Sequence, residues 1–417
     1  MEGWQEIRFK ELISEMADGG TPSTINEKNF GGNIPWAVVE DVTSQIYSTH
    51  DTLTEQGYNN CSAKLWPTGT IILTTGATIG KVGIAMVPLC TKQGITGIVC
   101  NKYSDGLFIK YWLEANTNQL IRFAQGTTFK EIRARSLGNL RIKVPNPFTE
   151  RGVEKQKAIA KILSKVDEAI ASVLNCIASA ERLKKSLMQN LLTGKMKPDG
   201  IFRTPEEFYI DEKFGKVPVG WKVKKIKDFG DIQTGKTPPT DEPEVFSGKE
   251  NGFMFITPGD LDVAKYIDHT ERYVSEKGLR YSYLLPKGTV CEVCIGSTIG
   301  KIGITTTECC SNQQITSVIV NNDHDAEYLY YTMLSRREHF KSVAGINATP
   351  QINKSGYSKY RVLCPKDKRE QIAIAKRISS VDKSINVQEQ RIKSLELLKK
   401  SLMQNLLTGK IRVNDLL

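Results

Sequence analysis

The sequence predicts a mixed α/β (α+β) protein built twice: two globular heads joined by two long antiparallel coiled-coil helices, related by a pseudo-two-fold internal repeat. Three observations carry that prediction. Twelve residues, KKSLMQNLLTGK, occur at Lys184–Lys195 and again unchanged at Lys399–Lys410, which sets a tandem architecture before any motif is weighed. Short β-type runs punctuated by glycine fall at matching places in each half. A sustained heptad pattern closes each half.

The repeat extends outward at offsets of 215 to 220 residues. Gly3-Trp4 answers Gly220-Trp221, Thr21-Pro22 answers Thr237-Pro238, and Pro67-x-Gly69-Thr70 answers Pro286-x-Gly288-Thr289. Farther along, Gly76-x-Thr78-Ile79-Gly80-Lys81-x-Gly83-Ile84 answers Gly296-x-Thr298-Ile299-Gly300-Lys301-x-Gly303-Ile304, and Ile95-Thr96 answers Ile315-Thr316. Strands are expected at 70–75, 81–87 and 94–100, with counterparts at 289–295, 301–307 and 314–320. A helical stretch is expected at 106–125 and at 325–344, with Leu107, Tyr111, Leu120 and Phe123 at helical spacing. Val144-Pro145 and Cys364-Pro365 then punctuate the end of each globular part.

From Glu154 to Leu192 apolar or small residues fall at Ile159, Val166, Val173, Ala180 and Leu187, and at Leu163, Ile170, Ile177 and Leu191. That is an a/d pattern. The second copy keeps the frame with Ile374, Val381, Leu395 and Leu402, and with Ile378, Ile385, Ile392 and Leu406. Each seam carries one lysine, Lys184 or Lys399, and the second adds Gln388. Thr193-Gly194 and Thr408-Gly409 supply the stops. Two core helices of a bundle would show the same stripe, but 39 residues at a rise of about 1.5 Å make a rod of roughly 58 Å, longer than a small domain is wide. Two such rods in one chain can bury their stripes against each other, and pairing around a pseudo-two-fold axis makes them antiparallel. The expected product is a dumbbell, with heads held apart by a coiled-coil bar.

Boundaries follow: 1–150 and 220–367 as heads, 151–195 and 368–410 as helices, 196–219 as linker and 411–417 as tail. The 417 residues carry 57 Lys+Arg against 46 Asp+Glu, a net charge of +11. That balance is compatible with a polyanionic partner and says nothing of sequence recognition. Apolar residues at 40% and charged ones at 25% exclude disordered and fibrous classes. No window approaches the ~18 consecutive apolar residues of a membrane span, and the polar start is unlike a secretory signal. Nine scattered cysteines point to reduced thiols and a cytoplasmic protein.

A twofold-related pair of heads on a basic frame suits a duplex with two half-sites. The sequence here resembles the specificity (S) subunit of type I restriction-modification enzymes, through Gly3-Trp4 and Pro218-x-Gly220-Trp221, the Gly-x-Thr-Ile-Gly-Lys segments, and the Gln156-x-x-Ile159-Ala160…Val166-Asp167…Leu191-Leu192-Thr193-Gly194-Lys195 helix with its second copy. The resemblance covers nearly the whole chain. It implies that each head is a target recognition domain reading half of a split DNA sequence, and that the helices fix the spacer and dock modification subunits. It further implies a non-catalytic chain without its own cofactor or metal. The implied partners are double-stranded DNA, two modification (methyltransferase) subunits binding S-adenosylmethionine, and restriction (endonuclease) subunits using ATP and Mg²⁺. The alternative is a scaffold with two ligand-binding heads on a coiled-coil spacer and no nucleic acid. A duplex affinity that falls with salt separates the two.

Positions shared between heads should build the frame, and positions that differ should read different bases. The shared Thr78, Thr298, Lys81 and Lys301 are candidates for phosphate contact, which positions without specifying, and Ser297 beside them is a further DNA-binding candidate. The divergent segments 126–135 and 345–354 are candidates for base readout. They carry Thr127, Thr128, Lys130, Arg133 and Arg135 in one copy, and Asn347, Thr349, Gln351 and Lys354 in the other. Arginine pairs bidentately with guanine, and Asn or Gln with adenine. Gln93, Gln313 and Gln314 offer the same chemistry. A solvated turn is the plain reading of each.

Other motifs are set aside. A P-loop has four residues between its glycines and a Ser/Thr after the lysine, whereas here there are three, followed by Val82 or Ile302. Pro198-Asp199 with Asp211-x-Lys213 superficially matches a metal-nuclease pattern, but lies in a join with no strand pattern to hold ligands. Asn146-Pro147-Phe148 lacks the second proline of a methyltransferase loop. Cys291-x-x-Cys294 falls in one β-type run, whose odd spacing points the thiols to opposite faces, so buried thiols are expected rather than zinc ligands. His50, His269, His324 and His339 form no metal or triad spacing and are expected at the surface.

Overall fold

The computed structural model describes the chain apart from residues 1–2, 77, 125–129, 150, 346–349, 412 and 414–417. It divides into two compact units, Met1–Asn175 with Glu389–Leu417, and Cys176–Gln388. Among the described residues no helix is long and apolar enough to cross a membrane.

The first unit is built on a five-stranded sheet in the order Ile13–Asp18, Ile95–Cys100, Ile71–Thr74, Val82–Ala85, Gln45–Ile46. Its neighbours are antiparallel except for the last pair. The second unit repeats that order with Gly230–Thr234, Ile315–Val320, Val290–Val293, Ile302–Thr305 and Tyr266–Ile267, again with a parallel last pair. A smaller sheet accompanies each, with Cys90–Thr91 parallel to Phe30–Ala37 in one and Cys309–Ser311 parallel to Phe253–Ile256 in the other. A two-stranded ribbon joins start to end of each globular part: Trp4–Arg8 on Arg141–Pro145, and Trp221–Lys225 on Arg361–Pro365. The repeat is therefore one of topology as well as of sequence. The central strands Ile71–Thr74, Val82–Ala85, Val290–Val293 and Ile302–Thr305 are buried at every residue, because both faces of the sheet are covered, and continuous apolar runs follow from that.

The helical stretch after the sheet is broken in both copies. It forms Gly106–Ala115 and Thr117–Phe123 in the first, and Ala326–Ser335 and Arg337–Val343 in the second. The chain leaves helical geometry at Asn116 (φ −111°, ψ 22°) and Arg336 (φ −105°, ψ 11°). The single stretches expected at 106–125 and 325–344 are corrected accordingly. Tyr111 and Leu120 are buried, but Leu107 and Phe123, each on the same piece as one of them, are exposed.

The long helices span Gly152–Leu191 and Lys368–Leu406. Every a/d residue named above is buried or half-buried. In the first unit, Leu402, Met403, Leu406 and Leu407 pack with Ile159 and Leu163. In the second, Leu187, Leu191 and Leu192 pack with Ile374 and Ile378. Within each unit the two helices thus run antiparallel. The seam lysines are paired: Lys399 Nζ lies 2.7 Å from Asp167 Oδ1, and Lys184 Nζ 2.5 Å from Asp382 Oδ1. Each carboxylate also accepts from a tyrosine hydroxyl, Tyr111 or Tyr331. Gly409 (φ +75°) and Gly194 (φ +69°) close the helices in the left-handed region. A Cβ at Gly409 would fall 2.6 Å from the Trp4 ring, and one at Gly194 would fall 2.2 Å from Pro218 Cγ, so only glycine fits.

The linker is not strandless. Phe208–Asp211 and Gly215–Pro218 form a hairpin. Asp211 Oδ1 accepts from the N–H groups of Lys213 and Phe214 at 2.9 Å each, and Asp199 Oδ1 accepts from Ile201 N. The carboxylates of the nuclease-like pattern are thus spent on stabilising turns. Two further outcomes concern cysteine and histidine. All nine cysteines are free thiols, and Cys291 and Cys294 sit in different apolar clusters, on opposite faces as the spacing predicts. His324 is buried rather than at the surface. Its ring lies 4.5 Å from that of Phe229, Nδ1 donates to Asn321 Oδ1, and Nε2 accepts from Lys224 Nζ. Burial first, and Lys224 second, press its pKa down to about 4.

Candidate nucleic-acid interface

Each unit brings together three segments that are far apart in sequence. In the first unit they are the glycine loop Gly76–Lys81, the turn Lys92–Gly94 and the segment entering Lys130–Arg135. Backbone bonds stitch them: Thr75 N and Gly76 N donate to Gly94 O, and Ile132 N donates to Thr75 O, at 2.8–2.9 Å. The second unit repeats two of these bonds, with Cys294 N on Gln314 O and Ile352 N on Cys294 O, while Gly296 N donates instead to Pro350 O of the third segment. Glycine is required within the loop, since Gly80 (φ +100°) and Gly300 (φ +86°) are left-handed and lie against Thr117 and Arg337.

The shared threonine of the Thr-Pro pairs holds the polar turn in both copies. Thr21 Oγ1 accepts from Gln93 N, and Thr237 Oγ1 donates to Gln313 Oε1. Thr21, Gly76, Lys92, Gln93, Gly94, Lys130 and Glu131 line a cavity of about 410 Å³. Thr21 and Lys92 were not among the sequence candidates, although the Thr-Pro match that defined the repeat already marked the first of them.

The candidates are placed as follows. Thr78, Lys81, Gln93, Lys130, Arg133 and Arg135 are exposed in the first unit, and Ser297, Gln313, Gln351 and Lys354 in the second. Thr298, Lys301 and Gln314 are half-buried. Thr127, Thr128, Asn347 and Thr349 lie outside the described residues. Lys81 Nζ donates to Val39 O at 3.2 Å and Lys301 Nζ to Pro258 O at 3.3 Å. Each lysine therefore pins the glycine loop to the next connection, which leaves two N–H groups for another acceptor. Gln314 is used at both ends, donating to Ile295 O and accepting from Asn312 Nδ2.

The third segment differs between copies in how it is fixed. Asn353 caps its short helix, accepting from Gly356 N at 2.8 Å. At the matching position stands Arg133, which makes no side-chain cap. There Asp18 reaches in from the neighbouring strand: Oδ2 accepts from Ala134 N, and Oδ1 from Thr96 Oγ1. A side-chain carbonyl or carboxylate thus holds a different N–H of the segment in each copy, and Arg133 and Arg135 are exposed. Five cations, Lys81, Lys92, Lys130, Arg133 and Arg135, surround that surface in the first unit, an arrangement suited to a polyanion.

Beneath the second glycine loop lies Glu292, fully buried. Strand register sets it opposite Thr316 and Ile302, where the first unit has Leu73 opposite Thr96 and Val82. Tyr357 OH donates to Oε2 at 3.1 Å, and Oε1 has no partner. Burial pushes the carboxyl up to about 8. A carboxyl raised in the folded state binds a proton that the unfolded chain releases above its ordinary pKa, so stability falls as pH rises from about 4.5 through 8. Glu292→Gln is expected to flatten that dependence. Its advantage over the wild type in urea unfolding should grow by roughly 4 kcal/mol between pH 5 and pH 9; parallel pH curves for the two proteins would contradict it.

A family model described as Type I restriction modification DNA specificity domain matches residues 1–181 and again residues 218–397. The chain is 31% identical over 245 residues to the type I restriction enzyme MjaIX specificity subunit of Methanocaldococcus jannaschii, a match covering 57% of this chain and 54% of that protein. It is 25% identical over 427 residues to the MjaVIII specificity subunit of the same organism, covering 100% and 94%. It thus spans about half of the first relative and nearly all of the second. Among solved structures, the S subunit of a type I restriction-modification system from M. genitalium superposes with a TM-score of 0.60 at 16% identity, over 97% of this chain and 96% of that one. A chain from a type I R-M system studied for its assembly gives 0.59 at 17%, over 99% of both. These two likenesses concern the fold.

Proposed function

Since this chain belongs to the family of type I restriction modification DNA specificity domains, and its role is DNA sequence recognition, we propose that each unit reads one half of a split duplex target through its three-segment surface. One observation carries this reading: two matching backbone bonds join the same three segments in both units, and different side chains are presented on them. Thr78, Thr298, Lys81 and Lys301 meet phosphates, and the segments around Arg133 and Arg135, and around Gln351 and Lys354, meet base edges. A scaffold without nucleic acid is not favoured by the family.

The finer assembly belongs to the same proposal. The chain is the recognition part of a cytoplasmic complex with two modification subunits, which bring S-adenosylmethionine, and with restriction subunits, which bring ATP and Mg²⁺. It contributes no cofactor of its own. The outward flanks of the long helices, where Leu174, Leu183, Val387, Leu397 and Leu398 are exposed, are the docking faces, because large apolar side chains in water mark interaction sites.

Selecting duplexes from a randomised pool with the full chain tests this. Two short conserved blocks separated by a fixed run of free bases are expected. Arg133→Ala and Arg135→Ala should each relax one block by about 1–3 kcal/mol at a single guanine and leave the other block intact. One undivided motif, or binding indifferent to salt, would overturn the reading.

A further inference from the structure

The first unit contains an open groove of about 1120 Å³, with Trp112, Met403 and Leu407 on its floor and Asn116, Arg141 and Lys400 among its lining. None of its lining residues belongs to the three-segment surface. The repeat supplies a counterpart for each in the second unit: Asn116 corresponds to Arg336, Arg141 to Arg361, Met403 to Met188 and Leu407 to Leu192.

In the second unit that counterpart surface is covered by the hairpin Phe208–Pro218. Phe214, in its turn, packs on the cluster containing Met188, Leu192, Val223 and Leu334, and its ring lies 5.4 Å from the Arg336 guanidinium. Asp211, at the same turn, is held ionised by the Lys213 and Phe214 N–H groups and further by the field of Arg361. Tyr209 OH donates to Trp221 O at 3.3 Å. The hairpin thus delivers an aromatic ring and a carboxylate together.

No described residue of the first unit plays those parts. Arg141 is exposed, and Lys143, Lys400 and Lys410 stand with it around the groove against Glu6 and Glu396, while Lys399 is taken by Asp167 and Glu114. The rim is therefore cationic above an apolar floor, the complement of an aromatic residue beside a carboxylate.

We propose that this groove docks a loop of a partner polypeptide bearing an aromatic side chain next to an acidic one, in the place that the hairpin Phe208–Pro218 occupies in the second unit. Such a surface is independent of DNA reading. One half of the recognition chain is closed by its own linker, and the other half is completed by a partner.

The hairpin supplies the probe. A cyclised peptide of residues 208–218, with a photoreactive benzoylphenylalanine in place of Phe214, is added to the full chain and the labelled sites are mapped by mass spectrometry. Labelling is expected at the groove, around Trp112 and Met403. It should fall at least tenfold with Arg141→Glu, or with Asp211→Lys in the peptide, and stay unchanged with Arg361→Glu. Duplex selection run on the same Arg141→Glu variant should return the wild-type motif, which separates this test from that of DNA reading and shows the variant to be folded. Labelling no stronger than that by a scrambled peptide would overturn the proposal. So would labelling that appears only once residues 414–417 are removed, since the occupant would then be the chain's own end.

Discussion

Removing one heptad from each long helix, between Asp167 and Lys184 in the first and between Asp382 and Lys399 in the second, is expected to shorten the preferred DNA spacer by about three base pairs. Seven residues at about 1.5 Å each span roughly 10 Å, and B-DNA rises about 3.4 Å per base pair. Both deletions are needed. The ion pairs Lys399–Asp167 and Lys184–Asp382 have the same seventeen-residue separation on either helix, so matched deletions keep both pairs and the a/d frame. A deletion in one helix alone sets the pairs at odds and should abolish selective binding. On the proposed reading the shortened chain should lose its wild-type duplex almost completely, because a half-site separation set by helix length leaves no slack of roughly 10 Å. Duplex selection with an unchanged spacer would show that helix length does not set the separation.

The second large effect is expected at the polar layer of the helical seam. Asp167 accepts from Tyr111 OH at 2.8 Å and faces Lys399 at 2.7 Å, with Lys110, buried to 2% exposure, at 3.7 Å. Asp167→Leu leaves Lys399 beside a buried lysine with only Glu114 to share, which should cost about 2–4 kcal/mol, somewhat less than breaking a fully buried ion pair because these side chains keep part of their contact with water. Pairing it with Lys399→Leu should restore most of that loss. Lys110 keeps Glu114 at 2.8 Å and Ser44 Oγ at 3.0 Å, and a leucine at the seam position 399 can pack against one at 167, which flanks the seam beside Val166. What the double variant should lose is part of its uniqueness: polar layers forbid helix registers one heptad apart, and with this one gone only Lys184–Asp382 and Gln388 of the named polar seam groups are left to do so, so the distance distribution should broaden. Chemical denaturation gives the first quantity, and a spin-label distance distribution across the helix pair gives the second. A double variant as unstable as the single one, or with one narrow distance, would contradict this account.

Much of the architecture was legible because its signals are local. Heptads need only the spacing of Ile159, Leu163 and Val166, and the burial of those residues follows from that spacing. The strands Ile71–Thr74, Val82–Ala85 and Ile95–Cys100 lie between glycines that mark their ends. Where neighbours in space rule, local reading failed. Asn116 is compatible with a continuing helix by propensity, yet the chain turns there so that Leu120 and Tyr111 can meet one core. The hairpin Phe208–Asp211/Gly215–Pro218 reads as charged linker, because its Phe214 stands against Arg336, more than a hundred positions later, and against a cluster assembled from distant elements. His324 owes its burial to Phe229 and Lys224, which no motif announces.

The candidate interface divides in the same way. That 126–135 and 345–354 diverge while Gly-x-Thr-Ile-Gly-Lys persists is visible on comparing the halves. That Lys81 and Lys301 spend a proton on the carbonyls of Val39 and Pro258, and that Gln314 is consumed within its own turn, is not. Periodicity and duplication are properties of a string, so the sequence by itself determined the tandem fold, the helical seam and the segments that differ between halves. Which of those side chains meet, which are spent internally, and which of two equivalent grooves stands open were decided only in the tertiary structure. Hydrogen bonds and burial depend on distances that the folded chain sets between residues remote in order.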